Sequence, residues 1–206
     1  MVPAEGRLPH VARTFTLVRH GQSTYNVAGL VNGDPSVPVF LTEVGMEQAR
    51  AAAEALEPFD FDRAIHTRFV RTHQTLAILL DGSDIPTETY PQLDDVHLGI
   101  FEGRPVGEYR AWRHSHTPDD KPPGEGESRV DVLYRYLRGF ERMIAEDTDC
   151  VLAVLHDVPI RFMANAVLGA DPLDGPVKDV QNAEIRTFDQ VQMEQGLAVF
   201  RDRLGY

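Results

Sequence analysis

Among 206 residues there is a single cysteine, Cys150, so no disulfide can form within the chain. That fits a reducing compartment. Cys150 opens the apolar run CVLAVL and reads as a buried structural thiol rather than a nucleophile. Long hydrophobic runs are also missing. None approaches the ~18 apolar residues of a membrane-spanning helix, and the opening MVPAEGRLPHVAR holds no apolar stretch of signal-peptide length. The expectation is a cytoplasmic protein with a frayed start over residues 1–12. Basic charge is scarce: 20 Lys and Arg stand against 32 Asp and Glu, a formal net charge of -12. This argues against a nucleic-acid binder, which shows a basic face, and against docking on anionic membrane. It does not exclude a small anionic substrate, because a few arginines make a positive pocket inside an acidic protein. There is no internal repeat and no linker long enough to divide the chain. One domain over 1–206 is expected. Oligomeric state is left open, a homodimer included.

What is present is an ordinary globular composition, 42% hydrophobic and 25% charged, arranged as alternating strand and helix signals. TFTLV at 14–18 reads as a strand, and TEVGMEQARAAAEAL at 42–56 as a helix capped by Thr42. FDRAIHT at 61–67 reads as a strand running into a helix over 68–80. A short strand at 87–90 and a helix at 106–113 follow. HTPDDKPPGEGES is loop-like, and its end places Ser128 and Asp131 at capping-box spacing. The next helix carries Val130, Leu133, Tyr134, Leu137, Phe140 and Ile144 as a core stripe. CVLAVL reads as a buried strand and PIRFMANAVL as a helix. Strands near 184–189 and 196–201 would close the chain as a hairpin. The alternation predicts an α/β protein with a mainly parallel sheet.

Ligands of such sheets bind outside the carboxyl ends of the strands. Three strands end in unusual polar residues: Arg19 and His20 after the first, the segment holding Arg71 after the second, and His156 after CVLAVL. Two arginines and two histidines gathered at one edge suit a tetrahedral dianion. Arginine forks match phosphate oxygens and stay charged. One neutral imidazole can attack phosphorus while the other holds an oxygen.

These residues carry a resemblance. LVRHGQSTYN, with Arg19, His20, Gly21, Ser23 and Asn26, resembles the signature of the histidine phosphatase superfamily, the phosphoglycerate mutase-like proteins, in its shorter branch. LTEVGMEQA, HTRFVRTHQT, LDDVHLGIFEG, GES and HDVPIR resemble its later blocks in order, from about residue 14 to 187. The resemblance implies a three-layer α/β/α fold and a phosphohistidine on His20. Arg19, Arg71 and His156 would hold the phosphoryl oxygens. Asn26 and the backbone N–H groups after His20 would add donors. A small phosphorylated substrate is implied, with no cofactor and no metal.

Three departures follow. The acid that is usually Glu falls on Asp95, one methylene or roughly 1.5 Å shorter. Asp157 stands where glycine is usual and is a rival donor, since a distant branch of the superfamily places its acid there. Its alternative role is to cap the following helix. Thr67 and Arg68 replace Ser-Pro, and Arg68 reads as a surface group or a substrate contact. His66, His73 and His97 lie beside motif blocks, and Glu102 reads as structural. His114 and His116 form an H-x-H without other ligands. A phosphatase is the favoured activity, because the region of a mutase's longer basic insertion is short here. A phosphoglycerate mutase, or a non-catalytic phosphate-binding module, are the alternatives.

Overall fold

The computed structural model describes residues 13–206; the start expected to fray, 1–12, lies outside them. Five strands form one sheet: β1 (Thr14–Arg19), β2 (Arg63–His66), β3 (Thr87–Thr89), β4 (Cys150–Leu155) and β5 (Ile185–Asp189). Their spatial order is β3-β2-β4-β1-β5, and only the edge strand β5 runs antiparallel. The helices are α1 (Thr24–Ala28), α2 (Glu43–Leu56), α3 (Val70–Leu80), α4 (Val106–His114), α5 (Arg129–Ala145), α6 (Asp157–Val167) and α7 (Gln190–Leu204).

The central strands are apolar on both sides of the pleat, as a sheet covered on two faces requires. Phe15, Leu17, Val151, Ala153 and Leu155 point into one core, shared with α5, α6 and α7. Val18, Leu152 and Val154 point the other way, against Leu56 of α2 and Leu76 of α3. The result is the three-layer α/β/α arrangement expected. Thr42 caps α2, its hydroxyl accepting from Gly45 N at 3.0 Å, and Ser128 and Asp131 cap α5 reciprocally.

Three expectations are corrected. Residues 196–201 lie in α7, so β5 has no hairpin partner there. Met193, Leu197 and Phe200 recur at helical spacing and are buried, and Asp189 with Gln192 forms a capping box that starts the helix. The core row of α5 is Val132, Leu133, Tyr136, Leu137, Phe140 and Met143; Tyr134 is exposed, while Val130 and Ile144 are partly buried. The apolar face is rotated by about one position from the stripe expected. Finally, α3 begins at Val70 rather than at residue 68, because Asp94 Oδ1 takes the Arg68 N–H at 3.0 Å and Phe69 stays extended.

Strand register now places the polar ends. Arg19 of β1 pairs with Leu155 of β4, and His66 of β2 pairs with Val154. One step further along three parallel strands brings His20, His156 and Thr67 to the same edge of the sheet.

Candidate active site

His20 leaves β1 with its N–H on Leu155 O at 3.0 Å. Its Nδ1 lies 2.8 Å from the Gly21 carbonyl, which can only accept, so the ring proton sits on Nδ1. Nε2 is therefore an unprotonated acceptor, and Arg71 Nε donates to it at 3.1 Å. The side chain is buried. Burial first, then Arg71 and Arg19, hold its pKa well below the usual imidazole value. His20 is thus a neutral imidazole whose Nε2 lone pair faces a cationic cluster and accepts from Arg71.

His156 faces it, ring centroids 5.3 Å apart. Its Nδ1 is 3.2 Å from Arg71 Nη2 and 3.5 Å from Asp95 Oδ2, and its Nε2 is 2.9 Å from Thr67 Oγ1. Arg71 donates to Nδ1, so the ring proton is on Nε2 and goes to Thr67. The hydroxyls of Thr67 and Thr72 lie 2.9 Å apart, and the latter donates to Phe69 O at 2.8 Å. Burial, then Arg71, depress the His156 pKa as well.

Arg71 occupies the centre. It is buried, stacks on Phe69 at 4.3 Å, and donates to Asn32 Oδ1, to Asn32 O at 3.1 Å and to Asp95 Oδ2 at 3.0 Å. Arg19 Nη1 donates to Val180 O, while its Nε is buried with no partner among the described residues. Asp95 accepts its own Val96 N–H on Oδ1 at 3.0 Å, leaving Oδ2 on the cluster. The missing methylene therefore does not keep its carboxylate from Arg71.

The sequence did not mark what holds Asp95 there. Arg135 of α5 donates to Gln92 O at 3.1 Å, Asp94 O at 2.9 Å and Asp95 O at 3.1 Å, and pairs with Glu127 at 2.7 Å. One arginine thus gathers three carbonyls of the acid loop. Glu127 of the GES block was the available signal, since a loop carboxylate one or two turns before an exposed-reading arginine can pair with it. Asn32 was likewise unmarked, because it lies in a loop with no distinctive pattern; Thr75 ends the block HTRFVRTHQT, but nothing in that block marks the hydroxyl as the acceptor of Gly21 N–H.

Gly21, Ser23 and Asn26 sit beside His20, with most of their polar groups turned to the protein. A Cβ on Gly21 would meet Gly45 O at 2.3 Å, so only glycine lets this loop lie on the start of α2. The N–H groups of Gly21, Gln22 and Ser23 go to Thr75 Oγ1 at 3.1 Å, Gln48 Oε1 at 2.9 Å and Asn26 Oδ1 at 2.9 Å. This corrects the expectation of backbone donors after His20. The three N–H groups are already used in building the turn. Ser23 is the N-cap of α1, and its hydroxyl donates to Asn26 Oδ1 at 3.0 Å. Asn26 keeps only its NH₂ free among the described residues.

Asp157 is in the first turn of α6, where His156 holds the N-cap position. It therefore does not cap the helix. Its Oδ1 accepts Val180 N–H at 2.9 Å and its Oδ2 lies 3.7 Å from Arg161 Nε. It makes no hydrogen bond with His20, Arg71 or Asp95, and burial raises its pKa. Val180 links Asp157 to Arg19. Arg68 is tied to Asp94 at 2.5 Å, and Glu102 accepts the N–H groups of Gly33 and Leu98, both at 2.7 Å. His66 and His73 pair with each other, their ring centroids 5.2 Å apart. His97 donates its backbone N–H to Glu127 at 3.0 Å. His114 and His116 spend their Nδ1 atoms on the carbonyls of Arg110 and Trp112. Among the described residues no group of three or more His, Cys, Asp or Glu is placed to hold a metal. No helix of the described residues is long and apolar enough to cross a membrane.

A cavity of about 190 Å³ opens beside the cluster, sharing Asp95 and Asn32 with it. His20 and His156 do not line it; Asp95 joins the cavity to the cluster, its Oδ2 lying 3.0 Å from Arg71 Nη2 and 3.5 Å from His156 Nδ1.

A sequence profile of the histidine phosphatase superfamily (branch 1) matches residues 15–202. The chain is 30% identical over 161 residues to "Probable phosphoglycerate mutase GpmB" of Proteus mirabilis, covering 74% of each chain. It is 38% identical over 88 residues, 43% of each chain, to the adenosylcobalamin/alpha-ribazole phosphatase of Salmonella typhimurium. The structure of mycobacterial glucosyl-3-phosphoglycerate phosphatase superposes with a TM-score of 0.69 at 27% identity, covering 85% of this chain and 89% of that one. Phosphatases and mutases both stand among these relatives, and all are enzymes. With its paired histidines on a sheet of this topology, the chain belongs to the histidine phosphatase superfamily.

Proposed function

We propose that this chain is a metal-independent phosphomonoester phosphatase working through a phosphohistidine on His20. The observation that carries the reading is the unprotonated Nε2 of His20, fixed by the Gly21 carbonyl and directed at Arg71, with the Asp95 carboxyl on the same arginine. The phosphoryl group enters between the two imidazoles. Its oxygens take the donors of Arg71, Arg19, His156 and the Asn26 amide. The Thr67 hydroxyl can turn to donate to His156 Nε2, which puts the ring proton on Nδ1, facing the phosphoryl oxygens.

The Nε2 lone pair attacks phosphorus, the N–P bond forms and the P–O bond to the alcohol breaks. Asp95, protonated for this step, gives its proton to the departing oxygen. In the second step its carboxylate takes a proton from water as the water oxygen attacks phosphorus. The N–P bond breaks, releasing phosphate and restoring neutral His20. Arginine charge fixed in a buried site supplies the transition-state stabilisation. Asp95 is favoured over Asp157 as the donor because only Asp95 touches Arg71.

The test is trapping with a ³²P-labelled phosphodonor followed by alkaline-stable, acid-labile recovery of the label. Label on the wild type and none on His20→Ala supports the reading. Absence of label, with no turnover of any ester in a broad panel, refutes it. Interconversion of phosphoglycerates faster than phosphate release would assign a mutase instead.

A further inference from the structure

We propose that the ester taken by this site has an apolar leaving group bearing a second anion, held by Arg113, Arg129 and Arg161. The inference rests on the phosphatase reading and names the substrate class of that same site. Val96, Leu98, Val106, Tyr109, Val132 and Phe162 make the cavity wall mostly apolar. Three guanidiniums nevertheless line it. Asp174 and Asp157 stand against them, and the wall's own carboxylate, Asp95, is held by Arg71, so three cations share two carboxylates.

The three arginines are not equally engaged. Arg129 is held by Leu173 O and by Asp174 at 2.9 Å. Arg161 donates Nη1 to Lys178 O at 2.8 Å, but its Nε is buried without a hydrogen bond, 3.7 Å from Asp157 Oδ2. That carboxylate already accepts from Val180 N. The guanidinium of Arg113 makes no hydrogen bond among the described residues; its nearest acid, Asp174, is 3.6 Å away and already bonded to Arg129. Burial and the neighbouring Arg129 both disfavour the charge on Arg113. Like charges brought together against an apolar wall raise the energy of the protein by itself, and an anion between them lowers it. Asp174 has no contact with the phosphoryl cluster, so the second anion lies apart from the reacting phosphorus. The apolar wall lies in the same cavity and fits a hydrocarbon body joining the two charges.

The experiment compares para-ethylphenyl, para-(carboxymethyl)phenyl and para-(aminomethyl)phenyl phosphate. A methylene insulates each phenol from its substituent, so leaving-group acidity is nearly matched. The readout is the ratio of kcat/KM for the carboxylated ester to that for the ethyl ester. The wild type is expected to favour the carboxylate by about tenfold to a hundredfold, the factor of one charge-assisted hydrogen bond, and to disfavour the amine. Arg113→Gln, the most exposed of the three, lowers that ratio at least about fivefold, with Arg161→Gln as the second variant. Turnover through His20 with equal ratios, with preference for the amine, or with a ratio unmoved in both variants overturns this inference alone. No turnover of any of the three esters, with no label on His20, removes the phosphatase reading and this inference together.

Discussion

Replacing Asp95 by asparagine removes one proton and little else. The amide keeps the size of the carboxyl, can still accept from Val96 N–H, and can still face Arg71 across 3.0 Å. What is lost is the ability to protonate a leaving oxygen in the first step and to take a proton from water in the second. General acid catalysis is worth about 10² to 10⁴ in rate, or roughly 3 to 5 kcal/mol at 1.36 kcal/mol per tenfold. An alkyl phosphate, which leaves as a strongly basic alkoxide, should therefore lose about 10² to 10⁴ in kcat with Asp95→Asn. Para-nitrophenyl phosphate leaves without help, so its phosphohistidine should form less than about tenfold more slowly, while its kcat falls with the second step, which uses the same carboxylate as base. The assay is therefore the rate of phosphohistidine formation from each ester, followed by rapid quench, for wild type, Asp95→Asn and Asp157→Asn. Asp157→Asn should lower both substrates alike, since its carboxylate holds Val180 at 2.9 Å and its charge acts on Arg19, whose role is on the phosphoryl oxygens shared by both esters. A leaving-group-dependent loss in Asp157→Asn, and none in Asp95→Asn, would refute the assignment.

Other outcomes follow from the same geometry. Thr67→Val strands His156 Nε2 in a buried site; stability should fall by about 1–3 kcal/mol and kcat by on the order of tenfold, with both recovered in Thr67→Ser, as read by thermal melting and steady-state rates. Arg135→Met frees the carbonyls of Gln92, Asp94 and Asp95, so kcat should drop by about a hundredfold, the cost of misplacing a reacting group by about 1 Å, while binding of inorganic phosphate by calorimetry changes little. The pKa of both His20 and His156 is depressed in the fold, so below about 6.5 the unfolded chain binds protons that the folded chain refuses. Stability contributed by these two neutral rings is complete above about 6.5 and declines as pH falls, by up to about 2.7 kcal/mol per pH unit for the pair, until their folded pKa values are reached; urea midpoints at descending pH, compared with His156→Asn, measure it. The same depression means that kcat/KM shows no acid limb near 6.5 from protonation of His20.

Much of the site was legible because parallel strands turn sequence position into spatial position. Arg19, His20 and His156 follow apolar runs whose register is fixed by burial on both faces, so their meeting was predictable. Arg71 was legible through the block HTRFVRTHQT, and its central place required the fold. The supports were not legible. Arg135 looks like any solvent-facing arginine on an amphipathic helix until the acid loop is seen beneath it. Residues 196–201 failed for a different reason: GLAVFR is short and apolar, and helix and strand cannot be separated over six residues without the capping box upstream.

Arg71 also sets the terms on which a substrate enters. Its Nε–H lies on His20 Nε2, the nucleophile of the proposed mechanism, and its Nη2 reaches both His156 and Asp95. Those bonds fix the two rings and the acid about one cation. The same bonds must be exchanged before phosphorus can reach Nε2. A neutral imidazole is the weaker acceptor, and a phosphoryl dianion forms charge-assisted bonds about twice as strong as neutral ones. The exchange is therefore favourable for a dianion and much less so for a neutral group of the same shape. Asn32 stays behind to hold Nη1, so the guanidinium can pivot without leaving the site. In the proposed mechanism, selection for a doubly charged phosphoryl group is thus built into the acceptor that His20 gives up, and the bond that holds its ring still also keeps Nε2 covered until such a group arrives.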